Sequence, residues 1–315
     1  MSGKRKFIQN SSIWIVLFLL ALIGCQEGEP NHRIENTLRK AQPTSTRQVP
    51  TREPTRTVSP TAAAVWTETP PELQEEGEPM TITLVYDNTS AKAGLKADWG
   101  FSALIRYQDQ RVLFDTGARG DILLANMQKL GIDPRQIDTV VLSHIHQDHI
   151  GGLPSLLRSG AQPRVVLLPS FSQSYQNQLA GQVPVLVGDP ELDLGSRIHT
   201  TGEIPGSPPE QALVLDTTRG LIVITGCAHP GVDRIVLEAK RLYKENIYLV
   251  IGGFHLGSAS PEQIRRIIKE FKRLEVEFVA PCHCTGSNAK RLFREAYGDH
   301  FLEGGAGFQF VLENQ

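Results

Sequence analysis

Ser143-His144-Ile145-His146-Gln147-Asp148-His149-Ile150-Gly151-Gly152 sets three imidazoles and a carboxylate within six residues, directly after the apolar run Thr139–Leu142. Residues two apart on an extended segment face the same way, so His144 and His146 are placed to grip one metal together. Asp148 and His149 follow on the turn and can face a second metal nearby. Gly151 and Gly152 are expected to let the backbone bend and to leave room on the open side of the metals.

Working outward, six of the nine histidines (His144, His146, His149, His229, His255, His283) fall in short turns just after an apolar, strand-like run. That pattern predicts one rim of a sheet gathering ligands. The apolar runs recur from Ile82 to Leu312. Helical periodicity is read in Asp121–Leu130, Gly152–Ser159, Val232–Lys244, Pro261–Leu274 and Ser287–Tyr297, with Asp121 and Ser287 as N-caps and Pro261 in a first turn. Strands with hairpin-like spacing come first, and strand–helix alternation follows, so sheets covered by helices are expected.

The chain has 315 residues, 40% of them hydrophobic, and a net charge of −2. It is long enough for one large core or two small ones, and it lacks the basic field of a nucleic-acid binder. Three organisational segments are expected: a leader over 1–25, a tether over 26–79 and a folded domain over 80–315. The leader has a basic start at Lys4, Arg5 and Lys6 and an apolar run from Ile13 to Ile23, short for a membrane span. Leu22-Ile23-Gly24-Cys25 resembles the lipobox of bacterial lipoproteins, which implies lipidation of Cys25 and an extracytoplasmic domain held to a bacterial membrane. The tether is rich in Thr, Pro, Glu and Arg and cannot bury enough apolar surface to offset ordering. Cys227, Cys282 and Cys284 are an odd number for a disulfide framework, so thiols buried near a metal are expected.

His-x-His-x-Asp-His-x-Gly-Gly resembles the signature of the metallo-β-lactamase superfamily, and the likeness extends over the whole domain. It implies an α/β fold, an αββα four-layer sandwich. Leu113-Phe114-Asp115-Thr116-Gly117 is similar to the family's first motif, whose Asp orients metal ligands. Thr225-Gly226-Cys227-Ala228-His229 stands where many members have Thr-Gly-Asp, so Cys227 replaces the bridging carboxylate. Glu203, in Thr201-Gly202-Glu203-Ile204-Pro205-Gly206, stands where many have His. With Gly252-Gly253-Phe254-His255 and Pro281-Cys282-His283-Cys284-Thr285-Gly286, the set resembles the branch that includes the archaeal dihydropterin–ribofuranosylaminobenzene phosphate synthase. That branch usually begins with Glu-His-Gly-Leu-Ser; here Asp98-Trp99-Gly100-Phe101-Ser102 departs from it.

The resemblance implies two divalent ions, zinc by ligand type, with manganese or iron as alternatives. His144 and His146 hold the first, and Asp148, His149 and His283 the second. His229 is the expected third ligand of the first, since a catalytic zinc usually has three protein ligands and a water. Cys227 either bridges the metals or is a buried structural thiol. Glu203 either reaches the metals or does not. His255 is expected as an acid or transition-state donor, or as a packing residue, and Asp148 as a catalytic carboxylate. Asn88 is placed at the substrate mouth, or is a turn residue. The expected reaction is attack of metal-bound hydroxide on a small anionic substrate, a phosphoester first. A surface metal- or ligand-binding module without turnover is the alternative. A pterin-precursor synthase is a third reading, which an exported location argues against.

Overall fold

The computed structural model describes residues 79–313. The leader, Cys25 and all of the tether except Pro79 lie outside them. In chain order the strands are β1 (Met80–Tyr86), β2 (Ser102–Tyr107), β3 (Gln110–Phe114), β4 (Thr139–Val141), β5 (Arg164–Leu167), β6 (Val185–Val187), β7 (Asp193–Gly195), β8 (Ile198–Thr200), β9 (Leu213–Thr217), β10 (Gly220–Thr225), β11 (Ile247–Gly253), β12 (Phe278–Cys282) and β13 (Gln309–Leu312). The helices are α1 (Gly120–Lys129), α2 (Gln147–Ile150), α3 (Leu153–Arg158), α4 (Gln173–Ala180), α5 (Val232–Tyr243), α6 (Pro261–Arg273) and α7 (Ser287–Tyr297).

The strands form two sheets, one of seven in the order β13-β1-β2-β3-β4-β5-β6 and one of six in the order β12-β11-β10-β9-β8-β7. Alternation along the strands dictates how they stack. On β3, Val112 and Phe114 face the other sheet, while Leu113 faces the layer of α1, α3 and α4. On β10, Ile222 and Ile224 face inward, and Leu221 and Val223 pack under α5, α6 and α7. The central strands of both sheets are therefore buried on both faces, and the fold is the expected αββα sandwich. Truncating a fully buried side chain such as Ile224 to alanine costs about 2–5 kcal/mol.

Two local expectations are corrected. Neither Asp121 nor Ser287 caps a helix: Arg119 and Gly286 hold those positions, and Asp121 and Ser287 lie inside the first turns. Side-chain caps are instead Ser172 ahead of α4 and Ser260 ahead of α6, the latter in a reciprocal capping box with Gln263. Strands β7 and β8 and helix α4 have short or polar sequences and carry little apolar period.

Strand direction builds the site. β3 and β4 are parallel, as are β10, β11 and β12. β1 points the same way as β3, because each is antiparallel to β2. The residues after β1, β3, β4, β10, β11 and β12 are Asp87–Asn88, Asp115, Ser143–His149, Cys227–His229, His255 and His283–Cys284. All of these fall at carboxyl strand ends, where open sheets place their ligands.

Candidate metal centre

The ligand atoms converge in three groups among the described residues: His144, His146 and His229; Asp148, His149, Cys227 and His283; and Cys227, His255 and Cys284. Within each group the donor atoms lie within 4.8 Å of one another. In the second, Cys227 Sγ is 3.2 Å from His149 Nε2 and 3.3 Å from His283 Nε2, while Asp148 Oδ2 is 3.5 and 3.4 Å from the same nitrogens.

The far side of each buried ring is held by oxygen. His149 Nδ1–H donates to Asp115 Oδ2 at 2.6 Å. The same carboxylate accepts the Ser143 amide and hydroxyl, both at 2.7 Å, and the Ser143 oxygen in turn takes His144 Nδ1–H at 2.9 Å. His283 Nδ1–H donates to Asn88 Oδ1 at 3.0 Å. Each bond places a proton on Nδ1 and turns Nε2 toward the group's centre, the usual arrangement around a ligated histidine. His144 Nε2 and His229 Nε2 are buried and meet no partner among the described residues. Unpaired buried acceptors of this kind are costly. A divalent ion would satisfy them, and a donor set of imidazole, carboxylate and sulfur suits zinc.

Electrostatics follow the packing. Burial opposes charge on His149, but the Asp115 and Asp148 carboxylates outweigh it and raise the ring to about 10. Burial and the neighbouring rings push His144 well below the imidazole range, and burial with His255 lowers His229 to about 4. Burial also resists an ionised Asp148, yet bonds to His149 and His283 hold it well below the carboxylate range. The Cys284 sulfur and burial push the Cys227 thiol up.

Four non-glycine residues at the rim take left-handed backbone: Asp115 (φ 60°), Ala228 (φ 67°), His255 (φ 52°) and His283 (φ 48°). Such conformations cost on the order of 1–3 kcal/mol each and persist where surrounding bonds impose them. Here Asp87, fully buried, takes the His283 amide at 2.8 Å. Glu210, also fully buried, takes the amides of Cys227 and Ala228 at 2.8 Å and of His229 at 2.9 Å. Burial raises Glu210 to about 7, against the pull of those amides.

Several expected placements change. Glu203 joins none of the ligand groups. Its carboxylate accepts the Ser170 amide at 2.9 Å and borders a separate cavity with Arg234. Asn88, half-buried, bonds to His283 through both ends of its amide, and its carbonyl oxygen also accepts the Gly100 amide. His255, expected as an acid or transition-state donor or as a packing residue, lines the cleft beside Cys227 and Cys284. Cys282 points into the layer between the sheets, away from the other two thiols. Gly151 and Gly152 have ordinary helical backbone; what they allow is contact, since a Cβ there would fall 2.1 Å from Ala118 O and 2.0 Å from Thr116 O. Glu210 and Asp87 escape sequence reading. Neither belongs to a ligand motif, and the only trace of Glu210 is an acid directly ahead of the apolar run Ala212–Leu215. Trp99, 57% exposed, stands 5.1 Å from the His283 ring at the mouth of a cleft of about 300 Å³ that Asp148, His146 and His229 also line.

Comparison with known proteins agrees with this geometry. The chain is 30% identical over 270 residues to the 7,8-dihydropterin-6-methyl-4-(β-D-ribofuranosyl)-aminobenzene-5'-phosphate synthase of Methanocaldococcus jannaschii, taking in 70% of this chain and 92% of that protein. The uncharacterized protein MJ0448 of the same organism is 28% identical over 239 residues, 66% of this chain and 91% of its own. Among solved structures, Tm1679, a metal-dependent hydrolase of the β-lactamase superfamily, superposes with a TM-score of 0.65 at 31% identity, covering 75% of this chain and 100% of that one. The metallo-β-lactamase fold protein YhfI from Bacillus subtilis, at 15% identity and a TM-score of 0.58, shares the fold. The sequence pattern of the Metallo-beta-lactamase superfamily matches residues 99–283, and the chain belongs to that superfamily.

Proposed function

We propose that the protein is a metal-dependent hydrolase that holds two divalent ions, zinc in the first instance, and cleaves a small anionic substrate, a phosphoester before other classes. The observation that carries this reading is the pair of adjacent donor groups, His144/His146/His229 and Asp148/His149/Cys227/His283, bordering one cleft. A site built only for structure needs one closed tetrahedral shell. Two ions, when bound, supply electrophilic charge and a water acidified toward neutrality. Asp115 and Asn88 orient the rings. Asp148, held in its carboxylate form by His149 and His283, would be placed to hold an ion and to accept a hydrogen bond from a water beside it. Trp99 screens one side of the cleft. The ligand set brings few negative charges against two dications, which favours an anionic substrate.

The test combines metal counting with a panel of phosphomonoesters, phosphodiesters and lactones. Two ions per chain and chelator-reversible turnover of a phosphoester are expected. Two ions with no turnover in any class would replace this reading with a binding module. The name of the M. jannaschii relative favours a second reading, a synthase acting on a phosphate-bearing substrate; turnover only with two co-substrates would select it.

The same proposal places the domain outside the cytoplasmic membrane, lipid-anchored through Cys25. Mass spectrometry of the N-terminal peptide should show acylation there, and Cys25→Ala should move the protein to the soluble fraction.

A further inference from the structure

Two members of the third donor group, His255 and Cys284, have no part in the reading above, and its third member, Cys227, is shared with it. We propose that Cys227, His255 and Cys284 form a separate site for a thiophilic cation of the zinc and cadmium class, sharing the Cys227 sulfur with the neighbouring Asp148/His149/His283 group. Two sulfurs and one imidazole nitrogen lie within 4.8 Å of one another. A tetrahedral shell with metal–sulfur bonds of about 2.3 Å requires donors roughly 3.5–4 Å apart, so a small side-chain adjustment closes it. All three residues line the same cleft, which leaves the fourth position open to water or ligand. A Cys2His set with one open position is an established catalytic-type zinc shell.

The surrounding chain keeps this arrangement in place. His255 is turned toward the sulfurs by a left-handed backbone. Gly253 keeps space for Cys284: a Cβ there would fall 2.8 Å from its Sγ and 2.3 Å from Gly226 O. Cys227 and Cys284 carry no disulfide. A thiolate has lone pairs enough for two cations, and Cys227 already faces His149 and His283 at 3.2 and 3.3 Å. Cation binding releases the protons of both thiols.

The experiment uses the full chain, reduced and stripped by chelator. Zinc is counted by equilibrium dialysis with elemental analysis, and cadmium is followed by its sulfur-to-metal charge-transfer absorption. The wild type should take three equivalents, and Cys284→Ser and His255→Ala one fewer each. The cadmium band should weaken in Cys284→Ser and persist in part, because Cys227 remains. His255 is exposed at the cleft, so its variant reports even if Cys284→Ser folds poorly. A wild type that saturates at the same count as both variants overturns the site, as does a Cys227–Cys284 disulfide in the protein as isolated. If the histidine groups bind nothing while one sulfur-linked equivalent remains, this inference stands and the two-ion hydrolase falls.

Discussion

Asp115 Oδ2 lies 2.6 Å from His149 Nδ1 and 2.7 Å from the Ser143 hydroxyl, so one carboxylate holds a ligand of each proposed ion, His149 directly and His144 through Ser143. Asp115→Asn keeps the shape but cannot accept from all three donors. Metal affinity should fall about 10–100-fold at both positions, the usual effect of losing such a partner. Chelator competition measures it. Loss at only one position would show that the Ser143 relay carries nothing.

The same pair predicts a pH response of the metal-free protein. The folded value of His149, about 10, lies above the ordinary 6.5. The pair's stabilisation is therefore complete below about pH 6.5 and is lost as pH rises through 10. Thermal melts of stripped protein should drop across that window, and the drop should shrink in Asp115→Asn. Protons compete with the ion for Nε2, so metal affinity should rise over the same range.

Glu210 acts on the opposite sheet. Its carboxylate takes three amides of the Cys227–His229 turn. Glu210→Gln sets an amide NH2 against one of those donors. A loss of about 1–3 kcal/mol in urea unfolding is expected, the penalty for one buried unpaired group. An unchanged midpoint would mean the turn is held by other contacts.

Asn88 separates orientation from substrate contact. Its carbonyl oxygen fixes His283 Nδ1–H and its amide NH2 donates to the His283 carbonyl, so Asn88→Ala should weaken metal binding at the Asp148 group and lower kcat. A raised KM with metal affinity intact would instead restore its place at the substrate mouth.

Strands covered by helices and the ligand motif could be read directly because both rest on short-range pattern, whereas the four-layer stacking came from the resemblance to the superfamily. Leu113 between Val112 and Phe114 announces a strand buried on both faces, and His144-x-His146 announces a shared ligand direction. What stayed hidden depends on contacts between residues distant in sequence. Nothing near Asn88 signals that it meets His283, 195 positions away. Glu203 occupies the family's usual ligand position in sequence, but the Ser170 amide holds it elsewhere. Glu210 matters through backbone amides, which leave no mark in side-chain identity.

Each of the two histidine-rich groups draws donors from both sheets: His144 and His146 follow β4 and join His229 after β10, while Asp148 and His149 join Cys227 and His283 after β10 and β12. Ions seated there would rivet the halves of the sandwich along one edge, beyond the apolar seam between them. Stripping them should free amide hydrogens fastest along that edge, and reloading should knit it again without refolding the rest.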